Sequence, residues 1–110
     1  MTVKITISKN LRNDIYKKFK KDSTKVYSLI NSLKENIHKG EYLGRVSNII
    51  IKELKYENYR IYFVIDEGKL MLFEKDELKD LLIRFLEISK KNEQQKTMNK
   101  IKSVLKKVHL

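Results

Sequence analysis

Two runs of β-branched and aromatic residues, separated by only three residues, constrain the fold of this chain more than any other feature. Residues 49–55 read Ile-Ile-Ile-Lys-Glu-Leu-Lys, and residues 59–65 read Tyr-Arg-Ile-Tyr-Phe-Val-Ile. Such runs are typical of strands, and a short connection between them suits a hairpin. Residues 66–68, Asp-Glu-Gly, make the next turn and lead to a short strand at residues 69–73. The sequence therefore predicts an antiparallel meander.

A change of periodicity near the N-terminus predicts one strand followed by two helices. Residues 3–7 alternate between apolar and polar, as in a half-buried strand. In residues 11–21 apolar side chains recur every four positions, which predicts a helix ending near Lys21. A second helix is capped by Asp22 or Ser23, and Gly40 stands where a left-handed C-terminal residue belongs. The apolar stripe of this helix comprises Val26, Leu29, Ile30, Leu33 and Ile37.

The remaining segments complete one α+β domain over residues 1–110. Residues 40–48 show little periodicity, which predicts a loop. Residues 81–88, Leu-Leu-Ile-Arg-Phe-Leu-Glu-Ile, fit either a strand or the middle of one long helix from Lys75. Near the C-terminus, Asn92 and Gln95 match a capping box before a basic amphipathic helix. The stripe of that helix comprises Met98, Ile101, Val104, Leu105 and Val108.

The charge of the chain makes nucleic acid its leading partner class. Twenty-five Lys and Arg against 14 Asp and Glu leave a formal charge of +11, which attracts polyanions over long range. The absence of cysteine excludes disulfides and thiolate zinc sites and fits an intracellular location. No apolar run has the length of a signal peptide core or a membrane span. We expect a soluble cytoplasmic protein that acts on RNA or on an RNA-containing particle.

Three strings, in order along the chain, resemble the RelE/ParE superfamily of toxins. The first is the segment at residues 40–48, Gly-Glu-Tyr-Leu-Gly-Arg-Val-Ser-Asn, which leads into the residue 49–55 run. The second, residues 58–63, Asn-Tyr-Arg-Ile-Tyr-Phe, resembles the family's Tyr-Arg-hydrophobic-Tyr strand. The third, residues 88–95, Ile-Ser-Lys-Lys-Asn-Glu-Gln-Gln, is similar to the family's closing strand and the basic residues after it. The resemblance spans residues 3–105.

The resemblance implies both a fold and an activity. The fold is RelE/ParE-like: an N-terminal strand, a helix hairpin, an antiparallel sheet of three to four further strands and a C-terminal helix. In this arrangement residues 81–89 form the last strand and residues 74–80 are an insertion. Members with ribonuclease activity cut messenger RNA in the ribosomal decoding site without metal, and an antitoxin protein neutralises them. The expected partners are thus mRNA on the ribosome and a cognate antitoxin, with no cofactor and no metal.

The resemblance also implies a catalytic surface of basic side chains. Arg60 matches the family's sheet arginine and would stabilise the phosphorane that forms when a ribose 2′-hydroxyl attacks the adjacent phosphate. Lys52 and Lys55 lie where the family carries its lysines, but their spacing places them on opposite faces, so one of the two is the catalytic lysine. Further catalytic candidates are Arg84 and His109, and the candidate RNA contacts are Arg45, Lys90, Lys91 and Tyr62.

One departure from the family's pattern keeps other functions open. Many active ribonucleases of the group carry a His or Tyr near the C-terminal end as general acid or base, whereas Thr97 stands near the corresponding place here. His109 is the nearest substitute. The departure favours a ParE-like inhibitor that binds DNA gyrase, and a third alternative is a basic RNA-binding or ribosome-binding domain without toxicity. The oligomeric state stays open.

Overall fold

A mixed β-sheet forms the centre of the computed structural model, which describes residues 3–108. Within that range the sheet has five strands and is accompanied by four α-helices. The strands are β1 (Lys4–Ile7), β2 (Glu41–Val46), β3 (Ile49–Tyr56), β4 (Tyr59–Asp66) and β5 (Lys69–Phe73). The helices are α1 (Lys9–Phe19), α2 (Ser23–Asn31), α3 (Lys75–Ile88) and α4 (Gln94–Lys107). The α+β fold predicted from the sequence is therefore confirmed.

The meander predicted from the two apolar runs builds most of the sheet. The strand order is β1-β5-β4-β3-β2, with β1 parallel to β5 and every other pair antiparallel. The β3–β4 hairpin closes at the pair Tyr56 and Tyr59, and the β4–β5 hairpin closes at the pair Asp66 and Lys69. Gly68 has φ +79° in the second turn, a conformation that glycine adopts without steric cost. These short turns fix the register of every side chain in the central strands.

Helices cover both faces of the sheet and divide the core into two clusters. The hairpin of α1 and α2 packs one face, where Leu11, Ile15 and Ile30 are buried with Phe63 and Leu72. The pair α3 and α4 packs the other face. Its buried side chains are Leu78, Leu82, Ile101 and Val104, with Ile51, Tyr62 and Val64 from the sheet. Helix α4 crosses β2 closely, because a side chain added at Gly44 would lie 2.6 Å from a methyl group of Val104.

The expectation that residues 81–89 form the last strand, with residues 74–80 as an insertion, is wrong. Both segments belong to α3. The helix starts at a capping box, in which the Glu74 side chain accepts from the backbone of Glu77 and Glu77 Oε1 accepts from the backbone of Glu74 at 3.2 Å. Leu78 and Leu82 are then buried one turn apart, as a helix on the sheet requires. The capping box and the helical spacing of the buried leucines therefore make this segment a helix.

The predicted loop at residues 40–48 is also corrected, because residues 41–46 form β2. Pairing with β3 shifts by one residue between Tyr42 and Gly44, and this bulge hides the alternation that would identify a strand. Helix α2 ends at Asn31, earlier than predicted, and a short 3₁₀ turn follows. Gly40 has φ +98° but lies at the start of β2, where a side chain would come within 2.9 Å of the Glu53 carbonyl.

The C-terminal helix is confirmed, but its predicted cap is not. Helix α4 starts at Gln94 after a 3₁₀ turn, and no side chain caps it, so the box expected from Asn92 is not formed. Its apolar stripe packs as predicted, with Ile101, Val104 and Val108 buried. Along residues 3–108 no helix combines the length and the hydropathy needed to cross a membrane.

Candidate functional site

An ion pair between neighbouring strands is the central feature of the candidate site. Arg60 Nη1 on β4 lies 2.5 Å from Glu53 Oε1 on β3. The Glu53 side chain is 1% exposed, whereas the Arg60 side chain is 28% exposed. A buried carboxylate needs a compensating cation, so Glu53 holds the guanidinium in a fixed orientation. Because a guanidinium has five N–H donors, Arg60 keeps donors for a ligand at its exposed side.

Glu53 has a second oxygen that adds to the site. Its Oε2 atom is buried and has no hydrogen-bond partner among residues 3–108. A buried carboxylate oxygen without a partner is costly, so its presence needs an explanation, and a role at a functional site is one such explanation. Glu53 therefore joins Arg60 as a residue that the sequence analysis did not select.

The hairpin register places one of the two candidate lysines beside Arg60. Lys55 is the direct cross-strand partner of Arg60, so the two side chains share a face, and Lys55 is exposed. Lys52 is on the opposite face, where its Nζ donates to the His38 carbonyl at 2.9 Å and the Ile37 carbonyl at 3.4 Å. Burial lowers the pKa of Lys52. Lys52 thus fastens the segment after α2 to the sheet and cannot reach the side of Arg60.

Two clefts meet at Arg60. The Asp14 cleft, of about 460 Å³, is lined by Asp14, Lys18, Asn58, Tyr59, Arg60, Tyr62, Glu74, Lys75 and Asp76. The Lys39 cleft, of about 480 Å³, is lined by Leu29, Lys39, Gly40, Glu41, Glu53, Leu54, Lys55 and Arg60. Cations border both: Lys18 and Lys75 in the first, Lys39 and Lys55 in the second. Arg60 is the side chain common to the two, so an extended ligand lying across both clefts would pass over it.

The far wall of the Asp14 cleft is acidic. The Tyr59 hydroxyl donates to the Asp14 carboxylate, and burial, followed by this bond, raises the pKa of Tyr59. Burial also raises the pKa of Glu74, and the neighbouring carboxylates of Glu77, Asp14 and Asp76 raise it further. This wall repels phosphate. A polyanion at Arg60 would therefore lie towards Lys55 and Lys39, where Glu53 is already neutralised by Arg60.

The other predicted site residues are dispersed. Arg45 is exposed on β2 opposite Ile50, on the face away from Arg60. Arg84 is exposed on α3 and borders a separate cleft of about 290 Å³. Tyr62 shares the face of Arg60 but is 1% exposed, so its ring is not open for a base to stack on. His109 lies outside the described residues.

Lys90, Lys91 and Thr97 lie around the start of α4. Lys90 and Thr97 border a third cleft, which we call the Phe85 groove. Its lining residues are Val46, Ser47, Ile49, Phe85, Ile88, Ser89, Lys90, Glu93, Lys96, Thr97 and Lys100. Lys91 is exposed in the 3₁₀ turn before α4. Thr97, near the place where the resemblance to the RelE/ParE superfamily leads one to expect His or Tyr, borders neither of the clefts at Arg60.

The site could be derived only in part from the sequence. The runs at residues 49–55 and 59–65 predict the hairpin, but a turn of all three intervening residues would pair Lys55 with Tyr59. The observed two-residue turn instead pairs Lys55 with Arg60, and the alternation of β3 then places Glu53 on the same face, diagonal to Arg60. Diagonal neighbours on a sheet are within reach of long side chains. The opposite charges of Glu53 and Arg60 at these diagonal positions are the feature of the sequence that could have indicated their ion pair.

Comparisons with known proteins do not assign the chain to a family. No protein-family model matches it, and no curated protein or solved structure gives a significant match. Among residues 3–108 there is also no group of three or more His, Asp or Glu side chains that could hold a metal ion. The function of this chain therefore has to be inferred from the geometry around Arg60.

Proposed function

We propose that this chain is the toxin of a type II toxin–antitoxin pair, a metal-independent endoribonuclease that cuts mRNA on the ribosome in the cytoplasm. The observation that carries the proposal is Arg60, a partly exposed guanidinium fixed by a buried carboxylate where two clefts meet. The formal charge of +11 supports a polyanionic target, and the Tyr-Arg string in β4 resembles the RelE/ParE superfamily. A cognate antitoxin is the proposed protein partner.

The proposed chemistry needs a fixed cation more than any other group. The ribose 2′-hydroxyl gives its proton to water as its oxygen bonds to the adjacent phosphorus, the P–O5′ bond breaks, and water returns a proton to the leaving oxygen, so that a 2′,3′-cyclic phosphate and a 5′-hydroxyl result. Negative charge builds on the phosphorane oxygens in between, and donors held in place stabilise it without reorganising. Arg60 supplies those donors, and Lys55 neutralises a neighbouring phosphate from the adjacent strand.

Glu53 acts in this proposal as a positioning residue. Its Oε1 accepts from Arg60 Nη1 and so fixes one edge of a guanidinium that lines both the Lys39 cleft and the Asp14 cleft. A free arginine side chain would have to lose about 2 kcal/mol of rotamer entropy on meeting the phosphate. Fixing Arg60 in advance removes part of that cost.

A cell-free translation reaction that is supplied with purified reporter mRNA, and that contains no DNA template, tests the proposal. The natural protein should stop reporter synthesis, and replacing the pair by Glu53→Gln with Arg60→Gln should weaken inhibition by about a hundredfold, the loss expected for one transition-state donor. The double substitution keeps a neutral hydrogen-bonding pair, so folding should survive, which circular dichroism would check. Arg84→Gln, which replaces an exposed arginine of α3 outside the clefts at Arg60, should inhibit normally. Undiminished translation with the natural protein would contradict the proposal.

A second function is favoured by one observation. Thr97 borders the Phe85 groove and not the clefts at Arg60, so the position that supplies an acid or base in active relatives is remote here. That arrangement fits a ParE-like inhibitor of DNA gyrase. Gyrase supercoiling of relaxed plasmid, with and without the protein, separates the two: inhibited supercoiling with normal mRNA translation selects the second function.

A further inference from the structure

The Phe85 groove combines an apolar floor with a charged rim. It has a volume of about 480 Å³ and lies between the β2–β3 turn, the end of α3 and the start of α4. Val46, Ile49 and Phe85 form its apolar floor, and Ile88 lines the groove at its edge. Ile88 is 80% exposed, although it ends a helix whose other apolar residues largely pack inward. The chain thus leaves a large apolar side chain in water at the mouth of an apolar cleft.

The rim of the groove is mainly cationic. Lys90 stands at one end, and Lys96 and Lys100 stand four residues apart on the same side of α4. Glu93 is the one carboxylate among the residues lining the groove. Three cations against one anion around an apolar floor attract a ligand that carries negative charge and apolar groups together.

The floor distinguishes between two kinds of polyanion. A nucleic acid would gain from the lysines, but its bases need aromatic faces to stack on, and Phe85 is the one half-buried ring among the lining residues. A protein segment with Leu, Ile or Phe between Asp and Glu residues satisfies floor and rim at once. The volume is at the small end of ligand sites, which suits a few side chains of a short segment.

We propose that the Phe85 groove binds an acidic protein segment that inserts bulky apolar side chains between α3 and α4. The charge of the rim and the exposure of Ile88 carry the proposal, and neither involves Arg60 or Glu53. The groove would therefore bind such a segment even if the clefts at Arg60 had another role.

Fluorescence anisotropy with a labelled 12-residue peptide of alternating Glu and Leu pairs tests this proposal on the full chain. We expect a Kd of about 10–100 μM at low salt, which corresponds to about 5–7 kcal/mol of binding free energy. Ile88→Ser should weaken binding by about fivefold, and Lys96→Glu with Lys100→Glu by about tenfold or more. Matched controls are Ile83→Ser, at a residue that is 53% exposed on the same helix outside the groove, and Lys102→Glu with Lys106→Glu, two exposed lysines of α4 outside the groove.

Three results would overturn the proposal. One is no saturable binding of the peptide at about 1 mM, a concentration that detects even weak association. Another is an equal loss of affinity in the control variants, since the peptide would then respond only to overall charge. The third is the finding that binding of a 12-nucleotide single-stranded RNA depends on Lys96 and Lys100 while binding of the peptide does not, because the two lysines would then belong to an RNA-binding surface. As a control on the peptide itself, one in which Ser replaces Leu should fail to bind.

Discussion

At the scale of single residues, the pair of Glu53 and Arg60 links the stability of the sheet to its proposed activity. Glu53 is buried in the middle of a strand, a position where an unpaired carboxylate costs several kcal/mol. Arg60 compensates that charge from the next strand and remains partly exposed. The same bond therefore stabilises the fold and fixes the orientation of the cation that faces the ligand.

Arg60→Ala should lower the free energy of unfolding by about 2–4 kcal/mol, because Glu53 would remain buried without its cation. Glu53→Gln with Arg60→Gln should cost clearly less, since no charge is left uncompensated. Urea unfolding of the natural chain and the two variants at pH 7 measures both values. Equal losses in the two variants would show that the buried charge is not the cause.

Glu74→Gln should raise the thermal midpoint by about 2 °C at pH 7. Burial and three nearby carboxylates raise the pKa of Glu74 in the folded chain, so its ionised form is disfavoured there. That penalty is present above the folded-state pKa and disappears once pH falls below the unfolded value of about 4.3. The midpoints of the natural chain and the variant should therefore converge near pH 4, whereas a constant difference across pH would contradict this cause.

The β3–β4 hairpin could be predicted from the sequence, whereas the facing of Lys55 and Arg60 and the burial of Glu53 could not. The facing depends on a two-residue turn that pairs Tyr56 with Tyr59, one residue shorter than the separation of the two apolar runs, and a shift of one residue would change every cross-strand partner. The burial depends on α3 and α4 covering that face, which no local pattern in β3 reports. Lys52 is a similar case, because its partners are carbonyl groups that the segment after α2 brings across the opposite face.

At the scale of elements, the local sequence of α3 determines its structure, and the strand that the RelE/ParE resemblance implied does not form. Residues 81–88 are rich in apolar residues and fit a strand when considered alone. Glu74 and Glu77 nevertheless cap a helix, and Leu78 and Leu82 continue it with helical spacing. Strand β2 shows the opposite case: the bulge at Tyr42 and Gly44 removed its alternation, and only pairing with β3 makes it a strand.

Leu82→Ala should destabilise the chain by about 3 kcal/mol, since the side chain is fully buried against the sheet. Ile83→Ala should cost less than about 1 kcal/mol, because Ile83 is 53% exposed on the outer side of α3. Thermal unfolding of both variants measures the contrast. A larger loss for Ile83 than for Leu82 would mean that this segment presents its other face to the core.

At the scale of the whole molecule, the sheet lies between two helix pairs. The helix hairpin of α1 and α2 could be predicted from two apolar stripes, as could the amphipathic α4. The packing of α3 beside α4 could not, because the residue pattern left residues 81–88 open between a strand and a helix, and the resemblance selected the strand. The result is a basic chain that presents, among residues 3–108, the two clefts at Arg60 and the Phe85 groove.

Primer extension on a reporter mRNA during cell-free translation tests the central claim most directly. We expect new 5′ ends within codons that appear only while ribosomes translate and that are about a hundredfold rarer with Glu53→Gln and Arg60→Gln together. Arg84→Gln should give the natural pattern of cuts. Intact message in a reaction containing the folded natural protein would contradict the assignment of this chain as an endoribonuclease.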